Sequence, residues 1–392
     1  MALGLSVQEK LQFDSSSLLK NYNRIKINFN YGKGQYLFDD FGNKYIDFLS
    51  GIGVASFGHL HPQIIKSVEE QLNKLWHVSN LFESKQQERL AEILIEKTKM
   101  GSVFFCNSGT EANEAAIKFA RLFGENRTDI ITAVGGFHGR TYGSMSASGQ
   151  LKLWQGFFPL APGFKYVPYN DLEAIENSIT RNTCAIMIEP IQGENGIVVP
   201  SNGYLKGIGK ICKENNLLLI IDEVQSGIGK TGKLFAYQWE DIKPDIIATA
   251  KGIANGLPLG AVICSKKISE IIKPGMHGST FGGNPISVTA AIEVMNLLDD
   301  HTLNKINNLS DYFLSQLKNI NSSKIIDIRG KGLMLGIKFS DLIKASDIML
   351  KLLDEGIISG TANDNVLRML PPFVVSEDDI LKFVDSLKKI LN

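Results

Sequence analysis

The sequence predicts an α/β protein: a large, mainly parallel sheet covered on both faces by helices, with a smaller α+β unit assembled from the two ends of the chain. Three observations carry this. Short apolar runs without polar alternation recur through the middle of the chain, as in strands buried on both faces. Helix-periodic segments separate them, so consecutive strands are joined by crossovers. The texture changes at both ends, with alternating runs before residue 55 and a helix-then-strand pattern after Pro285.

The elements follow in order. QYLFDDFGNKYIDFLS holds two alternating runs around an F-G-N turn and reads as a small β unit. PQIIKSVEEQLNKLW is helix-periodic with proline at its start, and a second helix is expected near Lys85 to Lys97. VFFC (103–106) precedes a helix at 111–123, and DIITAV (129–134) precedes a glycine-rich loop. DLEAIENSI leads to CAIMIEP (184–190), and GYLKGIGKICKEN leads to LLLIID (217–222). DIIATA (245–250) and GAVICS (260–265) complete the strand series. ISVTAAIEVMNLLDD is a long helix, after which strands at KIIDIRG and GLMLGIKF and two further helices are expected. The expected units are an N-terminal β segment (1–55), a large domain (56–284) and a C-terminal α+β domain (285–392) that packs with the first segment.

Composition narrows the function. The 392 residues exceed one ordinary core, and 44% hydrophobic with 21% charged residues is globular usage. Lys plus Arg and Asp plus Glu are 41 each, so no net field draws nucleic acid or an anionic membrane. The four cysteines (Cys106, Cys184, Cys212, Cys264) contain no C-x-x-C pair and suit a reducing compartment. His59 and His61 in GHLHP have no further Cys or His cluster to complete a metal site. No run approaches the ~18–20 apolar residues of a membrane span. MALGLSVQEKLQFD lacks a basic region followed by an apolar one, so a cytoplasmic location is expected.

GIGKTG (227–232) matches a dinucleotide-binding glycine pattern and nearly matches a phosphate-binding loop. The first requires a direct turn from strand into helix, yet DEVQS intervenes. The second requires glycine where Val224 stands. A glycine turn is the better reading.

Three other features carry chemistry. Ser108-x-x-Glu111 is a capping box between a strand and an apolar-periodic helix. It serves as an ordinary cap, or as a phosphate site made of backbone N–H groups, two hydroxyls and the positive helix end. Asp222 closes an apolar strand, at the edge where α/β sheets bind ligands. It can cap the next turn or hold a proton on a ring nitrogen. Lys251 lies within DIIATAKGIANGLPLGAV. By residue type alone it is a snorkelling surface lysine; desolvated, it becomes an amine able to form a Schiff base. Phosphate cradle, carboxylate and amine together are the parts that pyridoxal phosphate needs.

The chain resembles class III pyridoxal-phosphate aminotransferases of the ornithine/acetylornithine type, which have fold type I. The resemblance runs from about Tyr22 to Phe373 through GHLHP, NSGTEANEAA, FHGRTYG, EPIQGENG, IIDEVQSGIGKTG, ATAKGIANGLPLGA, GSTFGGNP and LRMLPPF. Each motif is weak alone; their joint order is specific. The resemblance implies that Lys251 is the Schiff-base lysine, Asp222 bonds the pyridine nitrogen and Gln225 the ring hydroxyl oxygen. It implies that Ser108, Gly109 and Thr110 hold the phosphate, that Phe137 stacks on the ring, and that Thr280 reaches the phosphate of a neighbouring subunit in a homodimer. Arg140 would clamp a remote substrate carboxylate, unless it serves in a structural salt bridge. Arg368 would bind the α-carboxylate of 2-oxoglutarate, with Glu194 neutralising it while the first substrate is bound, and Tyr22 would lie near the substrate.

The activity implied is ω-transamination from N2-acetylornithine to 2-oxoglutarate, as in arginine biosynthesis. Ile52 stands where ornithine-specific members carry tyrosine, which favours an acylated substrate. Ornithine, N-succinylornithine and succinyl-diaminopimelate are the rival substrates. A non-transaminating pyridoxal-phosphate enzyme (aminomutase or decarboxylase), a dehydrogenase resting on GIGKTG and a catalytically silent scaffold are the readings from other classes.

Overall fold

The computed structural model describes residues 17–392; the N-terminal stretch read above for a leader lies outside the described residues. Strands β1 (Phe29–Lys33), β2 (Tyr36–Asp39) and β3 (Lys44–Asp47) form an antiparallel meander. Asp39 makes its turn: one carboxylate oxygen accepts the amides of Phe41 (3.0 Å) and Asn43 (2.8 Å).

A seven-stranded sheet occupies the centre. Its members are β4 (Ser102–Cys106), β5 (Asp129–Ala133), β6 (Phe164–Val167), β7 (Thr183–Ile188), β8 (Leu218–Asp222), β9 (Ile246–Thr249) and β10 (Gly260–Cys264), in the order β4-β10-β9-β8-β7-β5-β6. All pairings are parallel except those of β10, which is antiparallel to both neighbours. Two reversals restore direction, so β4 runs the same way as β8 and β9. The apolar runs are explained by two cores: Leu218 and Ile220 point into one with Ala112 and Ile117, while Leu219 and Ile221 point into the other with Ile208 and Ile211. Helices Gly109–Gly124 and Tyr204–Glu214 cover those opposite faces.

The strands β11 (Ile325–Lys331), β12 (Met334–Phe339), β14 (Gly360–Thr361) and β15 (Val366–Met369) make a third, antiparallel sheet, ordered β11-β12-β15-β14. The short β13 (Ile357–Ile358) instead joins the N-terminal sheet, parallel to β3. Phe48 packs on Phe313 and Phe383 with ring centroids 5.6 and 4.9 Å apart, so the two chain ends share one core. The sequence alone does not predict β1, β6, β13, β14, β15 or the helix Asp300–Lys318. The strands among them are short, and the helix is rich in Asn, Asp and Ser, which favour turns.

Candidate active site

Sheet direction brings three strand ends to one edge. Ser108 follows β4, Asp222 ends β8 and Lys251 follows β9, and all three line a cavity of about 390 Å³. Val54, Asn113, Phe137, His138, Arg140, Glu189 and Gln225 also face it. Ligands at the carboxyl edge of such a sheet are the general rule.

Ser108 caps the helix Gly109–Gly124, its hydroxyl accepting the Glu111 amide at 3.3 Å. The capping box is displaced by one residue: the Glu111 carboxylate reaches back to the amide of Asn107 (2.7 Å), not that of Ser108. The amides of Gly109 and Thr110, in the first turn, have no intrahelical acceptor and face the cavity with the helix dipole behind them. Glycine is required at 109, because a Cβ there would lie 2.6 Å from Val224 Cγ1.

Asp222 is buried, and its Oδ2 is held twice, by Asn113 Nδ2 and His138 Nδ1, each at 2.7 Å; Oδ1 accepts the Val224 amide. Burial opposes charge on His138, but its bond to Asp222 and the nearby Glu189 raise its pKa. Glu189 accepts the amides of Phe137 (2.9 Å) and Gly193 (3.2 Å), and burial next to Asp222 pushes its pKa up to about 7 despite His138. Sequence reasoning missed His138, Asn113 and Glu189. The available signal was a polar Asn113 on a helix face made of Ala112, Ala115 and Ala116.

Lys251 begins a one-turn 3₁₀ helix with φ +47°, a left-handed conformation that a lysine adopts only when its surroundings impose it. Asn255 braces the turn, accepting the Phe57 amide and donating to Gly58 O. Among the described residues no hydrogen bond or ion pair holds Lys251 Nζ, and burial lowers its pKa, with Glu194, Asp222 and Glu189 opposing and Arg368 assisting. It is therefore no snorkelling lysine: it lines the cavity together with Asp222.

Arg140 stands exposed at the cavity, 5.8 Å from the Phe137 ring centroid, with no ion pair among the described residues. Glu194 and Arg368 form an ion pair behind the wall; Gln225 donates to Glu194 (3.1 Å) and accepts from Arg368 (3.4 Å) while facing the cavity. Arg368 is buried, and its Nε has no partner among the described residues. Two expected residues stand apart from the cavity. Tyr22 is 68% exposed and touches Arg24. Thr280 lines a separate concavity with His77, Asn80 and Leu81. GIGKTG is neither a nucleotide nor a phosphate loop: Lys230 is fully buried, and Gly229 packs on Leu298. His59 pairs with Asp47 at 2.9 Å.

The aminotransferase class-III family model matches residues 18–391. The chain is a class III aminotransferase. This aminotransferase is 44% identical over 390 residues to acetylornithine aminotransferase of Caldanaerobacter subterraneus subsp. tengcongensis, covering 97% of the chain and 99% of the relative. It is 44% identical over 379 residues to that of Aquifex aeolicus, covering 95% and 99%. Among solved structures it is similar to ornithine aminotransferase of Toxoplasma gondii (TM-score 0.92, 32% identity, covering 95% and 92%) and to acetylornithine aminotransferase of Elizabethkingia anophelis (TM-score 0.84, 32% identity, covering 95% of each).

Class III aminotransferases use pyridoxal 5'-phosphate, and the donor set fits it. Free first-turn amides and the Thr110 hydroxyl suit a dianion. Phe137 offers a ring face, Asp222 a buried carboxylate for a ring N–H, and Lys251 an amine without a protein partner.

Proposed function

We propose that this aminotransferase moves the terminal amino group of N2-acetylornithine to 2-oxoglutarate, giving N-acetylglutamate 5-semialdehyde and glutamate, a step of arginine biosynthesis in the cytoplasm. The observation that carries the substrate reading is the contrast between two arginines. Arg140 is exposed and, among the described residues, without an ion pair, whereas Arg368 is neutralised by Glu194. A substrate with a single carboxylate, remote from its reacting amine, meets one available guanidinium and one that is masked. A diacid needs both, and the Arg368 Nε without a partner is a ready donor for its second carboxylate.

When bound, pyridoxal phosphate supplies an aldehyde that takes the amine and a ring that withdraws electrons from the carbon losing its proton. The residues do the rest. Asp222, held by Asn113 and His138, keeps a proton on the ring nitrogen, because an adjacent anion favours the cation. Lys251 Nζ would take the proton from the reacting carbon and return it on the far side of the transferred nitrogen, a general-base role that its depressed pKa suits. Phe137 and Val224, which line the cavity, would keep water from the bound ring.

Ile52 and Gly51 both adopt left-handed backbone, at φ 65° and 63°, in the turn beside Val54 of the cavity wall. Isoleucine there offers no hydrogen bond to a free α-amino group, which supports an acylated substrate.

Thr280 belongs to the proposal as a residue of a second subunit. Trp76, Leu81, Phe82 and Phe281 (65, 89, 68 and 62% exposed) are large apolar side chains around it that a homodimer would cover.

The test is single-turnover bleaching of the holoenzyme's cofactor absorbance with N2-acetylornithine, N-succinylornithine, ornithine and 4-aminobutyrate in parallel. N2-Acetylornithine is expected to bleach it fastest. Fastest bleaching by 4-aminobutyrate would overturn the substrate reading.

A further inference from the structure

Lys230, the lysine of GIGKTG, is among the largest fully buried side chains of the protein, at 1% exposure. Burying an ammonium is unfavourable unless something needs it there. The cofactor does not: Lys230 lies outside the cavity and points towards the C-terminal sheet. Its Nζ donates to Pro371 O at 3.1 Å and sits 4.9 Å from the Phe373 ring centroid. Its own carbonyl accepts the Leu333 amide at 2.8 Å, between β11 and β12. Lys230 thus clasps the C-terminal sheet through both its backbone and its side chain.

The clasped segment is the one that carries Arg368. Arg368 lies on β15, paired with Gly336 on one side and Gly360 on the other. Three residues on, the chain enters Pro371-Pro372, which offers no N–H and so depends on its carbonyls and flanking amides for anchorage. The Leu370 amide donates to Phe48 O (2.7 Å), the Ser50 hydroxyl donates to Leu370 O (2.8 Å), and the Phe373 amide donates to Ser56 O (2.7 Å). Those anchors tie the segment to the stretch from Phe48 to Ser56. Lys230 is the anchor from the loop after β8, the same loop whose Gln225 contacts both Glu194 and Arg368.

We propose that Lys230 is a positioning residue for the second substrate: by holding Pro371 O to the loop after β8, it sets Arg368 at the height where its guanidinium meets Glu194, Gln225 and an incoming diacid. This rests on the reading of Arg368 as the diacid's carboxylate site. Burial lowers the Lys230 pKa to about 7, with Asp47 opposing. Protonated or not, the amine keeps an N–H for Pro371 O, so the tether survives its titration.

The experiment follows the two half-reactions separately on holoenzyme, by cofactor absorbance, in Lys230→Met, Lys230→Gln, Lys230→Arg and Arg368→Ala variants. Methionine keeps the volume of the stem and removes the cost of burying an ammonium, which offsets part of the lost hydrogen bond. Lys230→Met should raise the concentration of 2-oxoglutarate needed for half-maximal rate by roughly tenfold, the worth of one charged hydrogen bond. The N2-acetylornithine half-reaction and the melting temperature should stay close to wild type. Lys230→Arg, which keeps a donor, should restore part of the loss. If Lys230→Met does not fold, Lys230→Gln should show the same one-sided weakening, because its side chain is one atom shorter and leaves the amide short of Pro371 O. Equal loss in both half-reactions, or no loss in either, would overturn the tether. Arg368→Ala separates the two ideas: weakened 2-oxoglutarate use there with none in the Lys230 variants sinks the tether alone, whereas an unaffected Arg368→Ala sinks the Arg368 reading and the tether with it.

Discussion

His138 Nδ1 lies 2.7 Å from Asp222 Oδ2, and both side chains are sealed from solvent with Glu189 close by. One imidazole is thus bonded to one buried carboxylate and acts electrostatically on a second. The pKa values of His138 and Glu189 are both raised, so the folded protein binds more protons than the unfolded chain near neutrality. For Glu189 the window runs from its ordinary 4.5 to about 7, and stability contributed at low pH is lost as pH rises through it. For His138 the loss comes above its ordinary 6.5, as pH passes its raised value. Glu223, raised to about 7, acts in the same direction and Lys230, lowered to about 7, in the opposite one. The share of Glu189 is therefore read by difference: between pH 4.5 and 7 the melting temperature of cofactor-stripped protein should fall relative to that of Glu189→Gln. A slope unchanged in Glu189→Gln would place the titration elsewhere.

Glu194→Ala removes the carboxylate that neutralises Arg368. The half-reaction with glutamate should gain roughly tenfold over that with N2-acetylornithine, the scale of one charged hydrogen bond. Pre-steady-state rates with each amine measure the ratio, and an unchanged ratio would remove the gate.

Gly109→Ala would place a Cβ 2.6 Å from Val224 Cγ1 at the phosphate end of the cavity. Loss of about 1–3 kcal/mol is expected from the forced shift. Fluorescence titration of stripped protein with pyridoxal phosphate should show weaker binding, because the first-turn amides move with the backbone.

Thr280 is exposed and lines a concavity that lacks Lys251. If it serves the partner's site, mixing Thr280→Ala with Lys251→Ala chains creates one intact site per mixed dimer. Activity should then rise above that of either variant alone. A mixture no better than the sum of its parts would return Thr280 to its own subunit.

The strand series was legible because the runs at β4, β5 and β7 to β10 are largely apolar on both faces, a pattern that needs no knowledge of the partners; β6, with Lys165 in its four residues, lacks it. Lys251, Asp222 and Ser108 were legible as chemistry because each follows or ends such a run. His138 was not: one imidazole beside a glycine has no periodicity, and its meaning comes from Asp222, 84 residues away. Arg368 was found by its motif, yet β15, which holds it, was not read as a strand. Nor did the motif show what surrounds it: its Nε lacks a protein partner, and Lys230 grips the residues just beyond it.

What the sequence determined by itself was the two-sided sheet, its carboxyl edge and the residue types delivered there, since periodicity and strand ends are local properties. Only the tertiary structure decided that GIGKTG is a buried clasp, that Asp222 is held by Asn113 and His138, and that Arg140 and Arg368 differ in availability. Those are facts of distance between residues remote in the chain, and burial and charge pairing act through space.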